Sequence, residues 1–562
     1  MHHHLTLRSK LIIMISVMAS LFLVALDQTI IATALGKIVE EYNAFSSLSW
    51  IVTAYLITTT ITVPIAGKLS DIFGRRNILL IGVAIFVGAS LWCGLSGSID
   101  QLILWRAVQG IGGGIITANA FTIVGDLFAA RERGRWQGLI GAVFGLASVV
   151  GPLLGGWLTD GQMIAGLTTN WRWTFFINVP IGIVAFTLIA IFSPALRHAA
   201  KAKIDYLGAA LLSVGLATLI LAVDNTESIF GGLLDATGLS LTGLRVIMFS
   251  IVALATAAFI YVENKVKEPI LPLKFFKNHN YRMVLIIATM FGAAFMGSIL
   301  YLTQFNQQVF GASPTNSGLM LLPMVAGIMV SSIGAGQIIS RTGRYKIFMQ
   351  VGFLVATGAM IALTFLSPEM SYAYEAVVMV VLGLGMGVAM PVLNLAIQNE
   401  VEQKDLGVAT SSSQLFRSLG SVIGTAVFGA MLTAGILTQV PVMRDTAYVQ
   451  TLAKSGQTEK LGSIDDPNTL LTLNMPDVKS QINSAAQSQF DKLPAPHNEK
   501  ASEAFTKSQD EFADKVTHAF SDSLQRIFIA AASLIGMAAV LTFTLKERKL
   551  RSASPNATPG EM

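Results

Sequence analysis

The chain has 562 residues, of which 53% are hydrophobic and only 13% are charged, and its formal net charge is +5. With a mean hydropathy of +0.63, this composition predicts an integral membrane protein and excludes a large soluble enzyme. We interpret the excess of positive charge as a topology signal and expect no nucleic-acid partner. The single cysteine, Cys93, excludes an intramolecular disulfide.

Fourteen apolar segments are long enough to cross a bilayer, because roughly 20 apolar residues span about 30 Å of hydrocarbon as a helix. They lie at about 11–35, 48–69, 77–97, 102–127, 136–158, 174–194, 205–223, 244–263, 282–306, 316–339, 347–367, 373–395, 410–437 and 523–545. An even number of spans places both termini on the same side of the membrane.

Lysine and arginine are concentrated in alternate loops and at both ends of the chain. The clusters are Arg8 and Lys10, Lys68 to Arg76, Arg131 to Arg135, Arg197 to Lys203, Lys265 to Lys277, Arg341 to Lys346, and Lys546 to Arg551. By the positive-inside rule these loops and both termini are cytoplasmic. We therefore expect a multi-pass protein of a bacterial cytoplasmic membrane.

The first span contains one charged residue, Asp27. A carboxylate at mid-helix costs about 2.5–3.5 kcal/mol on insertion scales, and such residues normally face a bundle interior or a wet cavity. Proton exchange by Asp27 is the functional interpretation, and a permanent structural ion pair is the alternative. The spans hold few other acids, which favours cationic, zwitterionic or neutral lipophilic ligands over divalent cations.

The two ends of the chain share an internal repeat. The stretch from Gly67 to Arg76 follows the second span, and the related stretch from Gly336 to Tyr345 follows the tenth. Two six-helix halves, 1–200 and 281–562, explain the repeat, with two inserted helices and a linker at 201–280. Repeated halves with a site between them are a transporter architecture.

Several separate stretches resemble one family. They are Leu26 to Thr29, Gly67 to Arg76, Arg106 to Gly110, Gly145 to Gly156, and Pro272 to Asn278. The chain resembles the major facilitator superfamily, and within it the fourteen-helix drug:proton antiporters of multidrug efflux. The resemblance implies an all-α membrane fold of two pseudo-symmetric six-helix halves plus two inserted helices. It also implies proton-driven drug export, a role in antibiotic resistance, no enzymatic activity and no cofactor beyond the proton gradient.

The resemblance also implies roles for individual residues. Asp27 and Arg106 are assigned to proton coupling, although Arg106 could instead snorkel to the interface. The loop after the second span is assigned to a latch between the halves, with ordinary topology charge as the alternative. Proline and glycines in the fifth span carry the antiporter signature, for which simple packing remains an alternative. These gating residues are Gly67, Asp71, Gly74, Arg75, Arg76, Asp126, Gly151, Pro152, Gly155 and Gly156.

A drug cavity of aromatic and amide side chains is predicted among helices 1, 2, 4, 5, 9 and 12. Its candidate residues are Gln28, Trp50, Tyr55, Asn119, Phe144, Phe295, Met296, Tyr301, Gln304, Asn306, Asn394 and Gln398. A polar stretch at about 438–522 is predicted to form an extracellular helical hairpin, either a gate over the exit or a structural insertion.

We therefore predict a monomeric, proton-coupled antiporter that exports lipophilic drugs. No Walker loop or metal-ligand spacing occurs in the sequence, so an ion gradient is the expected energy source. An exporter of a single metabolite or siderophore and a non-transporting membrane sensor are the alternative functions.

Overall fold

The computed structural model describes residues 6–42, 48–159, 161–164, 166–193, 204–224, 226–312, 314–454, 469–470, 473–474, 476–491, 494, 497–548 and 550. Within them, 14 helices are long and apolar enough to cross a membrane, as the sequence predicts. They are α1 (Leu7–Tyr42), α2 (Leu48–Phe73), α3 (Arg75–Gly94), α4 (Ile99–Leu127), α5 (Ala130–Thr159), α6 (Asn178–Phe192), α7 (Tyr206–Val223), α8 (Leu241–Glu263), α9 (His279–Gln308), α10 (Leu322–Thr342), α11 (Lys346–Leu363), α12 (Tyr372–Gln398), α13 (Leu406–Leu437) and α14 (His497–Thr544). The span that contains α6 begins with the short helix Trp173–Phe176 and is 20 residues long in total.

Shorter elements connect these spans. The helices are Trp173–Phe176, Thr226–Thr237, Pro314–Leu319, Val440–Arg444, Ala447–Lys454 and Pro476–Phe490, and the 3₁₀ turns are Leu273–Lys277 and Gln403–Asp405. A two-stranded antiparallel ribbon pairs Met163–Ile164 with Leu167–Thr168, with Met163 opposite Thr168. None of these elements is long enough to span a bilayer.

Helices α1–α6 form one half of the bundle and α9–α14 form the other, as predicted, with α7 and α8 inserted between them. The inserted helices pack on each other, and α7 also contacts α2. The linker after α8 is fixed by the Glu263 carboxylate, which accepts hydrogen bonds from Ile270 N at 3.2 Å and Leu271 N at 3.3 Å. An ion pair of 2.6 Å between Lys68 and Glu268 joins this linker to the end of α2.

The stretch predicted as an extracellular hairpin is largely helical, and α14 runs for 48 residues without a break. Its outer part packs Phe512 against Tyr448, whose hydroxyl accepts a hydrogen bond of 3.1 Å from Gln509. His518 contacts Glu369 at 3.0 Å, in the loop that precedes α12. The stretch is therefore anchored on the half that carries α12, and its role as a gate remains a prediction.

Candidate functional site

The predicted pair of Asp27 and Arg106 meets inside the first half. Asp27 Oδ2 accepts a hydrogen bond of 2.5 Å from Arg106 Nη1, and both side chains are 1% exposed. A guanidinium stays protonated under all physiological conditions, so this carboxylate has a permanent cationic partner in this conformation. Because its side chain is buried, Arg106 does not snorkel to the interface, and that alternative is wrong for this structure.

Neutral side chains complete the shell around the ion pair. Asp27 Oδ1 accepts hydrogen bonds from Gln109 Nε2 at 2.8 Å and from Asn178 Nδ2 at 3.2 Å. Gln109 also accepts from Arg106 Nη1 at 2.7 Å and donates to Ser90 Oγ at 2.7 Å. Side chains of α4 and α6 therefore bind the Asp27 carboxylate of α1 directly, and Ser90 of α3 accepts from both amides behind them.

Aromatic rings cover the cation of the pair. The Arg106 guanidinium lies 4.3 Å from the ring centroid of Tyr55 and 5.8 Å from that of Phe175. Arg106 Nε also donates to the carbonyl of Ile51 at 3.3 Å. These contacts hold the arginine in place through interactions that do not depend on Asp27, so a change in the protonation of Asp27 need not release the cation.

The loop between α2 and α3 forms a second buried charge cluster. Arg75 pairs with Asp71 and, at 2.8 Å, with Asp126 Oδ2, and it donates to Ser70 Oγ at 2.5 Å. Gly74 has a φ of 91°, which favours glycine over any residue with a Cβ atom. The neighbouring Arg76 instead donates to the carbonyl of Ala190 on α6. The loop is thus ordered around Arg75, with one acid from α2 and one from α4.

This cluster contacts the other half of the molecule. Asp71 Oδ2 accepts a hydrogen bond of 3.1 Å from Val408 N, in the first turn of α13. Asp126 Oδ1 accepts one of 3.1 Å from Gln403 Nε2. Gly67 packs so closely on α13 that a methyl group there would overlap Ser411. The predicted latch residues Gly67, Asp71 and Asp126 therefore lie in the seam between the halves.

A second seam joins α5 to α10 and α12 at the same end of the bundle. A Cβ atom at Gly134 would lie 3.1 Å from the carbonyl oxygen of Gly336. Beside it, Arg135 N donates to Ser340 Oγ at 3.0 Å, and Gln137 Nε2 donates to Gln398 Oε1 at 3.0 Å. Both seams lie where the arginine and lysine clusters lie, so the structure is closed on the basic-loop side.

The outer half of α5 packs against α1. Thr29 Oγ1 donates to the carbonyl of Ala147 at 3.0 Å, and a side chain at Gly151 would overlap Thr29. Gly155 meets the next turn of α1 in the same way, and Gly156 is buried. Pro152 faces Gly318, and a Cβ atom added at Gly318 would lie 3.3 Å from the Pro152 side chain. These contacts account for the glycines by packing, and the hinge role of Pro152 remains a prediction.

The residues predicted to line a drug cavity are placed in several environments. Gln28 is exposed, and Trp50, Phe144, Phe295 and Gln304 are half-buried. Met296 is 44% exposed, whereas Tyr55, Asn119, Tyr301, Asn306, Asn394 and Gln398 are buried. Tyr55 contacts the Arg106 guanidinium and Gln398 bonds to Gln137 in the seam, and the drug cavity itself remains a prediction.

Sequence reasoning missed several polar residues inside the bundle. Gln109 and Asn178 bind Asp27, and the only signal for them is an amide within an apolar segment. Glu375 lies in the first turn of α12 with an exposed fraction of 0%. Its presence corrects the expectation that the spans hold little acid besides Asp27. Arg417 on α13 was also missed, although a cation in the middle of an apolar segment was a visible signal.

Fourteen apolar helices in two six-helix halves, closed at one end by inter-half hydrogen bonds, define a membrane transporter built from repeated halves. The sequence model described as the Major Facilitator Superfamily matches residues 17–425. The chain therefore belongs to the Major Facilitator Superfamily, a family of transporters and not of enzymes.

Two relatives from Bacillus subtilis (strain 168) are similar along most of the chain. The multidrug transporter protein MdtP is 35% identical over 537 residues, which cover 94% of this chain and 92% of the relative. Multidrug resistance protein 3 is 34% identical over 422 residues, which cover 75% of this chain and 79% of the relative.

Two solved structures share the fold at low identity. An inward-facing, occupied bacterial homologue of the human lysosomal transporter Spinster gives a TM-score of 0.53 at 14% identity, covering 96% of this chain and 97% of the other. The human organic anion transporter MFSD10 gives a TM-score of 0.54 at 16% identity, covering 75% and 93%.

Proposed function

We propose that the protein is a proton-coupled antiporter that exports lipophilic drugs across a bacterial cytoplasmic membrane by alternating access, with both termini in the cytoplasm. The observation that carries the proposal is the buried pair of Asp27 and Arg106, 2.5 Å apart within a span. The names of the two Bacillus relatives, both of which refer to multidrug transport or resistance, support drugs as the cargo.

The geometry suggests how a proton could be exchanged. Protonation of Asp27 would remove the charge that attracts Arg106, while Arg106 would keep its contacts with Ile51 and Gln109. The amide N–H groups of Gln109 and Asn178 would still have an acceptor, because a neutral carboxyl retains acceptor capacity on both oxygens. The pair could therefore open and close around a single proton without leaving a buried amide unpaired.

The closed seams supply the second requirement of alternating access. In this structure the basic-loop ends of the halves are joined through Asp71 with Val408, Asp126 with Gln403, and Gln137 with Gln398. These contacts are polar and local, so they can be broken and remade without disrupting either apolar half. We infer that export alternates between this conformation and one in which the seams are open to the cytoplasm.

A flux assay tests the proposal. The full chain is reconstituted into liposomes that contain a pH-sensitive dye, and a lipophilic monovalent cation is added as the drug. We expect drug-dependent proton movement in the parent protein and its loss in Asp27→Asn, which has nearly the same shape and one acceptor oxygen but cannot ionise. Asp100→Asn is the matched control, because Asp100 is an exposed acid in the first turn of α4.

The alternative functions give different results in the same assay. A membrane sensor would show no drug-dependent proton movement at all. An exporter of a single solute would respond to one compound, with no competition among unrelated drugs. Proton movement that continues in Asp27→Asn at the parent rate would refute the role given to this carboxylate.

A further inference from the structure

One arginine, Arg417, lies within an apolar span of the second half. Arg417 is on α13, about three helical turns beyond the residue at which the helix begins, Leu406. Its Nε and Nη2 atoms donate to Gln414 Oε1 at 3.2 Å and 2.5 Å. Gln414 in turn donates to Asn394 Oδ1 at 3.3 Å. The contacts of Arg417 are thus with a chain of neutral amides.

No acidic side chain compensates this charge in the described part of the chain. Among those residues, no carboxylate lies within ion-pair distance of Arg417, and its Nη1 atom has no hydrogen-bond partner. Two buried carboxylates are paired with other arginines, Asp27 with Arg106 and Asp71 with Arg75. A charge within an apolar span and without a counter-ion is unfavourable, so this cation could accept an anion from another source.

The surroundings of Arg417 show where such an anion could bind. The Arg417 side chain is partly exposed, whereas Gln414 and Asn394 beside it are each 2% exposed. The guanidinium is therefore accessible beside these two buried amides. The amides hold one edge of the guanidinium, and the Nη1 group is left available to a ligand.

We propose that Arg417 binds a negatively charged group of the transported substrate, and that the substrate class includes lipophilic carboxylates and zwitterions. The inference rests on the proposed export function and narrows its substrate class. The guanidinium is planar, permanently charged and matched to carboxylate geometry, whereas lysine would act only as a point charge. Cationic drugs carry no group that this residue would recognise.

The test compares substrates that differ in one charge. Binding of a lipophilic carboxylic acid, its methyl ester and a lipophilic cation is measured with the purified full chain in detergent. Arg417→Gln removes the charge and retains hydrogen-bonding capacity. We expect it to weaken binding of the acid by about tenfold or more, as lost hydrogen bonds to a charged group do. The affinities for the ester and the cation are expected to change less than about twofold, because neither ligand carries the carboxylate that Arg417 would bind.

Two further variants complete the experiment. Arg417→Lys is expected to recover part of the affinity for the acid, because it restores the charge without the planar fork. Arg282→Gln is the matched control, since Arg282 is an exposed arginine in the first turn of α9. Equal losses for all three ligands in Arg417→Gln, or no loss for the acid, would overturn the proposal. If the cation still drives Asp27-dependent proton movement in that case, the proposed export function stands and only the anion site is wrong.

Discussion

Asp71 provides the sharpest test of the seam between the halves, because it acts across the interface on a helix that belongs to the other half. The first turn of α13 has no capping hydrogen bond from its own N-cap side chain, Asp405. Asp71 Oδ2 supplies that bond instead, through Val408 N at 3.1 Å. The negative charge also lies at the positive end of the α13 dipole. Asp71→Asn keeps an acceptor oxygen but removes the charge.

The size of the effect follows from these two interactions. A hydrogen bond to a charged group contributes about 1.5–3 kcal/mol, and a neutral acceptor retains roughly half of it. Loss of the charge at the helix terminus adds about 0.3–1 kcal/mol. The closed seam should therefore be destabilised by about 1–2.5 kcal/mol, which is roughly a 5- to 70-fold shift toward the conformation open on the basic side.

Spin-label distance measurements can detect this shift. Exposed positions on the basic side, Glu132 in the first half and Lys404 in the second, are replaced by cysteine and labelled. The native Cys93 is buried, so labelling favours the introduced sites. Asp71→Asn should enlarge the long-distance population and reduce drug efflux, with normal insertion into the membrane. An unchanged distance distribution would show that Asp71 does not hold the seam, and Asp100→Asn serves as the control.

Two further predictions concern α5 and α12. If Pro152 is a hinge, Pro152→Ala should slow exchange severalfold and leave drug affinity unchanged, as measured by flux and equilibrium binding; an unchanged exchange rate would leave packing alone as its role. Both oxygens of Glu375 and both amide atoms of the adjacent Asn306 lack hydrogen-bond partners. A neutral carboxyl could pair with this amide, donating its O–H to the amide oxygen and accepting the amide N–H on its other oxygen. Glu375→Gln should therefore keep thermal stability in detergent within about 0.5 kcal/mol, whereas Glu375→Ala should lose about 1–3 kcal/mol because Asn306 is left unpaired. Equal destabilisation by both substitutions would contradict this pairing.

The sequence could predict the membrane-spanning helices, because the bilayer constrains their length and composition. Apolar length defines the spans, because every backbone polar group in hydrocarbon must be bonded within its own helix. The 14 predicted segments therefore agree with the helices of the structure. Glycine and proline positions on α5 were also readable, because close helix packing in lipid requires small residues.

The sites were only partly readable, because a sequence shows which side chain is unusual but not what it contacts. Asp27 and Arg106 stood out as charges in apolar segments. Their neighbours Gln109 and Asn178 did not, since an amide in a span is as often a packing residue as a ligand. Gln398 was predicted to line a cavity, and its hydrogen bond with Gln137 in the seam could not be read from the sequence.

The sequence by itself determined the number of spans, the concentration of basic residues in alternate loops and the identity of the first buried acid. Hydrophobic length and loop charge act locally, so they can be read without knowing the neighbours. Only the tertiary structure decided that Asp27 is paired, that Asp71 caps a helix of the opposite half, and that Arg417 contacts a chain of neutral amides. Each of these depends on helices that are distant in sequence and meet only in the folded bundle.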